Sequence, residues 1–156
     1  MDIQTKVVNA LIDQGYHISL AESCTGGLTS AAIVSVADAS KVLDVSFVTY
    51  ANEAKMRYLG VKRETIDKYG VVSEPVACEM AAGVAKEAGS EVGIGITGVA
   101  GPGGGTVAKP VGMVCFGISL NGMVKTYTKQ FGAIGRNEVR NASVEFVLSA
   151  LYELLS

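Results

Sequence analysis

A serine attacks a carbonyl only when something takes its proton, and in this 156-residue chain the choice of acceptors is short. Ser23 closes the run HISLAES and is followed by CTGG, so it falls where a strand gives way to a helix. Free backbone N–H groups and the helix dipole favour developing negative charge there, on a nucleophile or on an oxyanion. The only histidine, His17, lies on the same expected strand, roughly 20 Å away at about 3.3 Å per residue, which argues against a Ser-His-Asp triad. Lysine can replace histidine when desolvation keeps some of its amine neutral near pH 7. Lys55, shortly after Tyr50, is the best-placed lysine, and the chemistry such a pair points to is acyl transfer.

Each of these residues has a plainer reading. Ser23 is also a good helix N-cap, although Thr25 could cap in its place. Lys55 falls in the first turn of a helix, where most lysines are solvated but where a cation opposes the dipole. Cys24 is a rival nucleophile, because a thiol at a helix N-terminus can ionise easily, or simply a small buried residue.

Further along, Thr97 ends another apolar run and leads into GVAGPGGGTVAKP. That loop, with Gly98 and Gly101, can bring backbone N–H groups to an oxygen-rich ligand, or can be a tight loop and nothing more. It lacks the GK[ST] ending of a Walker A motif. Gly93, Gly95 and Gly98 satisfy GxGxxG, but the first two sit inside the strand and no helix follows, so dinucleotide binding is not inferred. Arg136 and Arg140 share a helix face at i, i+4, either as a phosphate clamp or as a solvated surface.

The elements that must position these residues follow from periodicity. Ile3, Val7, Ala10, Leu11 and Gln14 predict a helix stopped by Gly15. HISLAES predicts a strand, and Leu28, Ala31, Ala32 and Ser35 a helix. LDVSFVTY (43–50) predicts a second strand, with Asn52 as the N-cap of the helix that holds Lys55. Ser73-Glu74-Pro75 starts a helix whose Val76, Met80, Val84 and Ala88 face the core. EVGIGIT (91–97) reads as a buried strand, VGMVCFGISL and MVKTYTKQF as a hairpin across Asn121-Gly122. A last helix from about Gly135 places Val139, Ala142, Phe146, Ala150, Leu151 and Leu154 on one face.

Alternating strands and helices imply an α/β class fold, a three-layer α/β/α sandwich around a mixed, mainly parallel sheet, in one domain spanning 1–156. Ligands of such sheets bind beyond the carboxyl ends of the strands, and Ser23, Tyr50 and Thr97 each occupy that place on a different strand. Thirteen Lys and Arg against fifteen Asp and Glu give a net charge of −2, without the basic field that nucleic acid or an anionic membrane would require. No basic-then-apolar leader and no apolar run of about 18 residues occurs, so a cytoplasmic location is expected. Cys24, Cys78 and Cys115 suit neither a disulfide framework nor a paired zinc site and are read as reduced thiols. Nineteen glycines cluster, at Gly26-Gly27 among other places, where backbone comes close to something.

AESCTGG (21–27), VTYANEAK (48–55), LGV (59–61), GVVSEPVA (70–77), ITGVAGPGGGT (96–106), KPVG (109–112) and the GR…VR pair (135–140) follow one another along nearly the whole chain. In these motifs the chain resembles the carboxy-terminal domain of the competence/damage-inducible CinA proteins; the larger amino-terminal domain of full-length CinA has no counterpart in these residues. Free-standing members deamidate nicotinamide mononucleotide. The resemblance implies a Ser-Lys amidohydrolase needing no metal or organic cofactor, with Ser23 as nucleophile, Lys55 as base and Tyr50 at the catalytic centre. It also implies that Thr25, Gly26, Gly27, Thr97, Gly98, Gly101, Arg136 and Arg140 surround the substrate, and that the protein is a homodimer. Two positions depart from the family's habit: Val45-Ser46 replaces a usual glycine, and Ile134-Gly135-Arg136 replaces Gly-Asp-Arg. The alternatives are a catalytically silent nucleotide-binding or competence-related interaction domain, and an amidase for another small carboxamide.

Overall fold

The computed structural model describes residues 1–156. The first helix, α1 (Ile3–Gln14), is capped by the Asp2 carboxylate on Thr5 N and stops at Gly15, whose φ of 69° suits glycine. Strand β1 (Ile18–Glu22) follows, then α2 (Leu28–Val34), a short 3-10 turn, and β2 (Leu43–Val48). Helices α3 (Asn52–Leu59), α4 (Arg63–Tyr69) and α5 (Glu74–Ala88) come next, then β3 (Val92–Gly98), β4 (Met113–Leu120), β5 (Met123–Gln130) and α6 (Arg136–Leu155). No helix is long and apolar enough to cross a membrane.

The five strands form one mixed sheet in the order β2-β1-β3-β4-β5. β1 pairs in parallel with both β2 and β3, while β3 with β4 and β4 with β5 are antiparallel. Asn121 (φ 51°) and Gly122 (φ 86°) join the last two strands, as a two-residue hairpin turn requires. Helices lie on both faces, which is the α/β sandwich expected. β1, β2 and β3 all run toward the same end of the sheet, so Ser23, Thr49-Tyr50 and Thr97-Gly98 emerge side by side.

The two faces are packed differently. Against α1, α2 and α6 the sheet presents large side chains, among them Leu20, Ile94, Ile96, Phe116 and Ile118, in a cluster of 22 buried residues. The opposite face carries rows of small residues in register: Ser19, Gly93 and Ser119, then Ala21, Gly95 and Gly117. With nothing projecting there, α5 settles directly on the strands. A Cβ on Gly95 would stand 2.5 Å from Ala77 O, and one on Gly93 or Gly117 would also strike the backbone of α5. Gly93 and Gly95 are therefore packing glycines, and the resemblance to a nucleotide fingerprint has no structural basis.

Two expectations need correction, and one helix was not foreseen. Asn52 is the first residue of α3 rather than its N-cap; Ala51 holds the cap position with no side-chain bond. Helix α4 has no apolar periodicity and no buried residue, which is why the sequence does not reveal it. The buried face of α6 is rotated from the expected one: Val139, Ala150 and Leu151 are buried, but Ser143, Val147, Leu148 and Leu155 take the places foreseen for Ala142, Phe146 and Leu154. Phe146 lies at the margin, tilted against Phe116 and edge-on to Tyr127.

Candidate active site

The turn after β1 is tight. Gly26 N donates to Ser23 O at 3.0 Å and Leu28 N to Thr25 O at 3.0 Å, with Gly26 and Gly27 at φ 58° and 103°. Neither Ser23 nor Thr25 caps α2. That work falls to Glu22, a fully buried carboxylate that the sequence reading passed over. Its oxygens accept from Thr29 N (3.0 Å) and Ser30 N (2.9 Å), the free amides at the start of α2. Ser30 Oγ lies 2.5 Å from Glu22 Oε2 and 2.6 Å from Ser46 Oγ, so Ser46, one of the two departures from the family pattern, extends this polar chain. A glutamate at the carboxyl end of a strand just before a Gly-Gly turn is the signal that could have revealed it.

With the cap supplied from elsewhere, Ser23 Oγ is left to meet Lys55 Nζ, 3.1 Å away. Lys55 is only 1% exposed although it stands in the first turn of α3, and its amine reaches the residues that follow β1 and β2. Its amine donates to Thr49 O at 2.7 Å and to Tyr50 O at 3.3 Å, and no carboxylate pairs with it. Burial without a counter-charge pulls its pKa down from 10.5 to about 8. A neutral lysine amine has two hydrogens and one lone pair. The two carbonyls take the hydrogens, which turns the lone pair toward the Ser23 hydroxyl.

Cys24 is in the opposite condition. Its thiol is buried, and desolvation raises its pKa from 9.0 to about 11, so it is a thiol and not a thiolate at neutral pH. Cys78 and Cys115 are also free and shifted upward by burial. No three His, Cys, Asp or Glu side chains converge as metal ligands would.

A cleft of about 190 Å³ opens above the Ser23–Lys55 pair. Tyr50, Thr97, Gly98 and Arg136 line it, together with Asn52, Val71, Val72 and Ala100, which sequence reasoning had not marked. The two valines belong to the GVVSEPVA motif and are fixed by Thr97, whose hydroxyl donates to Val71 O at 3.0 Å. Asn52, freed from capping, exposes its amide at the rim.

Arg136 spans the mouth. Its Nη1 donates to Gly101 O at 2.7 Å and its Nη2 to Tyr50 Oη at 2.9 Å. Neither partner is an acid, so the guanidinium charge at the rim is uncompensated. Gly135, at φ 114°, leaves room for Glu138 to fold back, with Oε2 2.5 Å from where a Cβ would stand. A carboxylate from the first turn of α6 thus stands where a side chain at 135 would begin. Gly101, Arg140, Thr25, Gly26 and Gly27 do not line the cleft; Gly101 is buried and meets it only through Arg136. His17 is at the far end of the sheet, bonded to Asp44.

The model of the CinA C-terminal domain family matches residues 1–155. A CinA-like protein from Kosmotoga olearia is 51% identical over 142 residues, covering 91% of this chain and 34% of that protein. This chain spans about a third of the length of the curated relatives it matches. Among solved structures, the competence/damage inducible protein CihA from Agrobacterium tumefaciens is 39% identical with a TM-score of 0.95, over 100% of this chain and 97% of that one. A CinA superfamily protein from Klebsiella pneumoniae 700603 is 37% identical with a TM-score of 0.94, over 98% and 95%. Fold, motifs and relatives agree, and the chain belongs to the CinA C-terminal domain family.

Proposed function

We propose that this domain hydrolyses the carboxamide of nicotinamide mononucleotide to nicotinate mononucleotide and ammonia, using Ser23 as nucleophile and Lys55 as base. The observation that carries the reading is the buried, unpaired Lys55 amine held by two backbone carbonyls 3.1 Å from Ser23 Oγ. An amine with a pKa of about 8 is roughly one-tenth neutral at pH 7, enough to act as a base and still strong enough as an acid afterwards.

In the first half-reaction Lys55 takes the Ser23 proton as Oγ attacks the carboxamide carbon. The tetrahedral oxyanion collapses, Lys55 returns the proton to the leaving nitrogen, and ammonia departs from a Ser23 ester. In the second half, Lys55 deprotonates a water that attacks the ester, the acyl C–Oγ bond breaks as Lys55 returns that proton to Ser23 Oγ, and the acid product leaves as its carboxylate after losing a proton to solvent. The uncompensated Arg136 at the rim favours an anionic substrate, and a guanidinium matches a phosphate well. Tyr50 and Asn52 flank the path from rim to nucleophile.

Ammonia release from nicotinamide, its riboside and its mononucleotide tests the assignment. The mononucleotide is expected to be strongly preferred over the riboside, with that preference lost in Arg136→Ala. Equal rates on all three would instead favour an amidase for small carboxamides, and no release from any would favour a binding module.

A further inference from the structure

Arg136 and Arg140 stand at i, i+4 on α6, and the sequence gives no reason to rank them. In the structure they do different things. Arg136 is exposed and lines the cleft; Arg140 is half-buried and lies behind the nucleophile turn. All three nitrogens of Arg140 have protein acceptors. Nε donates to Cys24 O at 2.9 Å, Nη2 to Thr25 O at 3.1 Å, and Nη1 to Asn137 Oδ1 at 3.0 Å.

We propose that Arg140 is a positioning residue: its guanidinium holds the two peptide carbonyls that follow Ser23 and so fixes where the nucleophile points, without touching the substrate. The inference rests on the Ser-Lys reading for its kinetic consequence but not for its structural one. Charge-assisted bonds to two successive carbonyls define two peptide planes at once, which a planar fork does and a point charge does not. The same turn is held from its other side by the Glu22 carboxylate on the amides of Thr29 and Ser30. Ser23 thus sits on a turn whose carbonyls are held by a cation and whose following helix is fastened at its first amides by an anion. Gly26 is part of the device. A Cβ there would stand 3.3 Å from Arg140 Nη2 and would push the guanidinium back by a few tenths of an ångström, while the φ of 58° itself favours glycine.

The test compares wild type, Arg136→Ala, Arg140→Ala and Arg140→Lys in full-length chain, on nicotinamide mononucleotide and on nicotinamide riboside. Arg140→Ala is expected to lower kcat about 10²-fold on both, the scale of an ångström's misplacement, with the ratio of the two kcat/KM values unchanged. Arg136→Ala is expected to do the reverse, collapsing the ratio. Arg140→Lys keeps the charge but not the fork, and should fall between wild type and Arg140→Ala in kcat with the ratio again unchanged; it also serves if Arg140→Ala does not fold. Loss of the ratio in either Arg140 variant, or wild-type kcat in a folded Arg140→Ala, would overturn the proposal.

Amide hydrogen exchange of the same proteins separates this inference from the proposed reaction. The bonded amides of Gly26 and Leu28 should exchange faster in the Arg140 variants and not in Arg136→Ala. If wild type releases no ammonia from either compound, the reaction is wrong, and unchanged exchange at Gly26 and Leu28 would sink the role of Arg140 independently.

Discussion

The chain carries a basic side chain beside each end of β1, and the two have been treated in opposite ways. At the amino end His17 is exposed, and its Nδ1 lies 2.7 Å from Asp44 Oδ1; that bond raises its pKa. Beyond the carboxyl end Lys55 is buried with no acid beside it, and desolvation lowers its pKa to about 8. The histidine, the residue one would first suspect of proton transfer, is fastened in a surface ion pair with no nucleophile near it. The lysine, which composition would place in solvent, is the one tuned toward neutral pH. Environment decides which base is usable, and the usable one stands where three parallel strands end together and a cleft opens.

Changes at the two ends should therefore differ by orders of magnitude. Ser23→Ala and Lys55→Ala are each expected to reduce kcat by about 10³-fold or more, since nucleophile and base act as a unit, and ammonia release from the folded variants measures it. Replacing Arg136 by alanine removes one charge-assisted contact at the rim, roughly 1.5–3 kcal/mol, and should raise KM for the mononucleotide roughly 10- to 150-fold. Steady-state kinetics at fixed pH would show it; an unchanged KM would remove the phosphate from the account.

The lysine end also costs stability. Because the folded pKa of Lys55 is depressed from 10.5 to about 8, the unfolded chain binds more protons between those values, and wild-type stability should rise with pH across that window. Lys55→Met should lack this rise. It should be more stable than wild type near pH 7, by at most roughly 3 kcal/mol before the loss of the amine's hydrogen bonds is counted, with the advantage shrinking toward pH 10. Urea melts at pH 7 and pH 10 would measure the difference. The smallest effect belongs to the histidine end. With its pKa raised, His17 contributes a stabilising contact that is fully present below its ordinary value of 6.5 and is lost as pH rises through the folded value. His17→Gln should leave kcat untouched and lower the melting temperature slightly at pH 5 but not at pH 9.

Much of this arrangement was legible from residue types alone. The order of the five strands and of every helix but α4, the hairpin at Asn121-Gly122 and the convergence of Ser23, Tyr50 and Thr97 all follow from periodicity, turn chemistry and the strand-end rule. What the sequence hid depends on tertiary packing. Nothing local says that Lys55 is buried, because its amine is enclosed by partners from the segments after β1 and β2, Ser23 and Thr49, far from it in sequence or on another element. Glu22 looks like any strand-end acid until its carboxylate is seen capping a helix that starts beyond the turn. Gly93 and Gly95 imitate a nucleotide motif because close helix packing and phosphate binding both call for a missing side chain. The departures at Ser46 and Gly135 make sense only in space, where one joins the Glu22 chain and the other leaves room for Glu138.

The measurement that bears most directly on the central claim is ammonia release from nicotinamide mononucleotide between pH 6 and 10 by wild type, Ser23→Ala and Cys24→Ala, each checked for folding by thermal melt. A buried lysine activating a serine requires wild-type kcat/KM to rise with pH and level off above about 8, Cys24→Ala to follow it, and Ser23→Ala to be inactive throughout. An active Ser23→Ala, or a rise that continues to the pKa of an ordinary lysine, would contradict it.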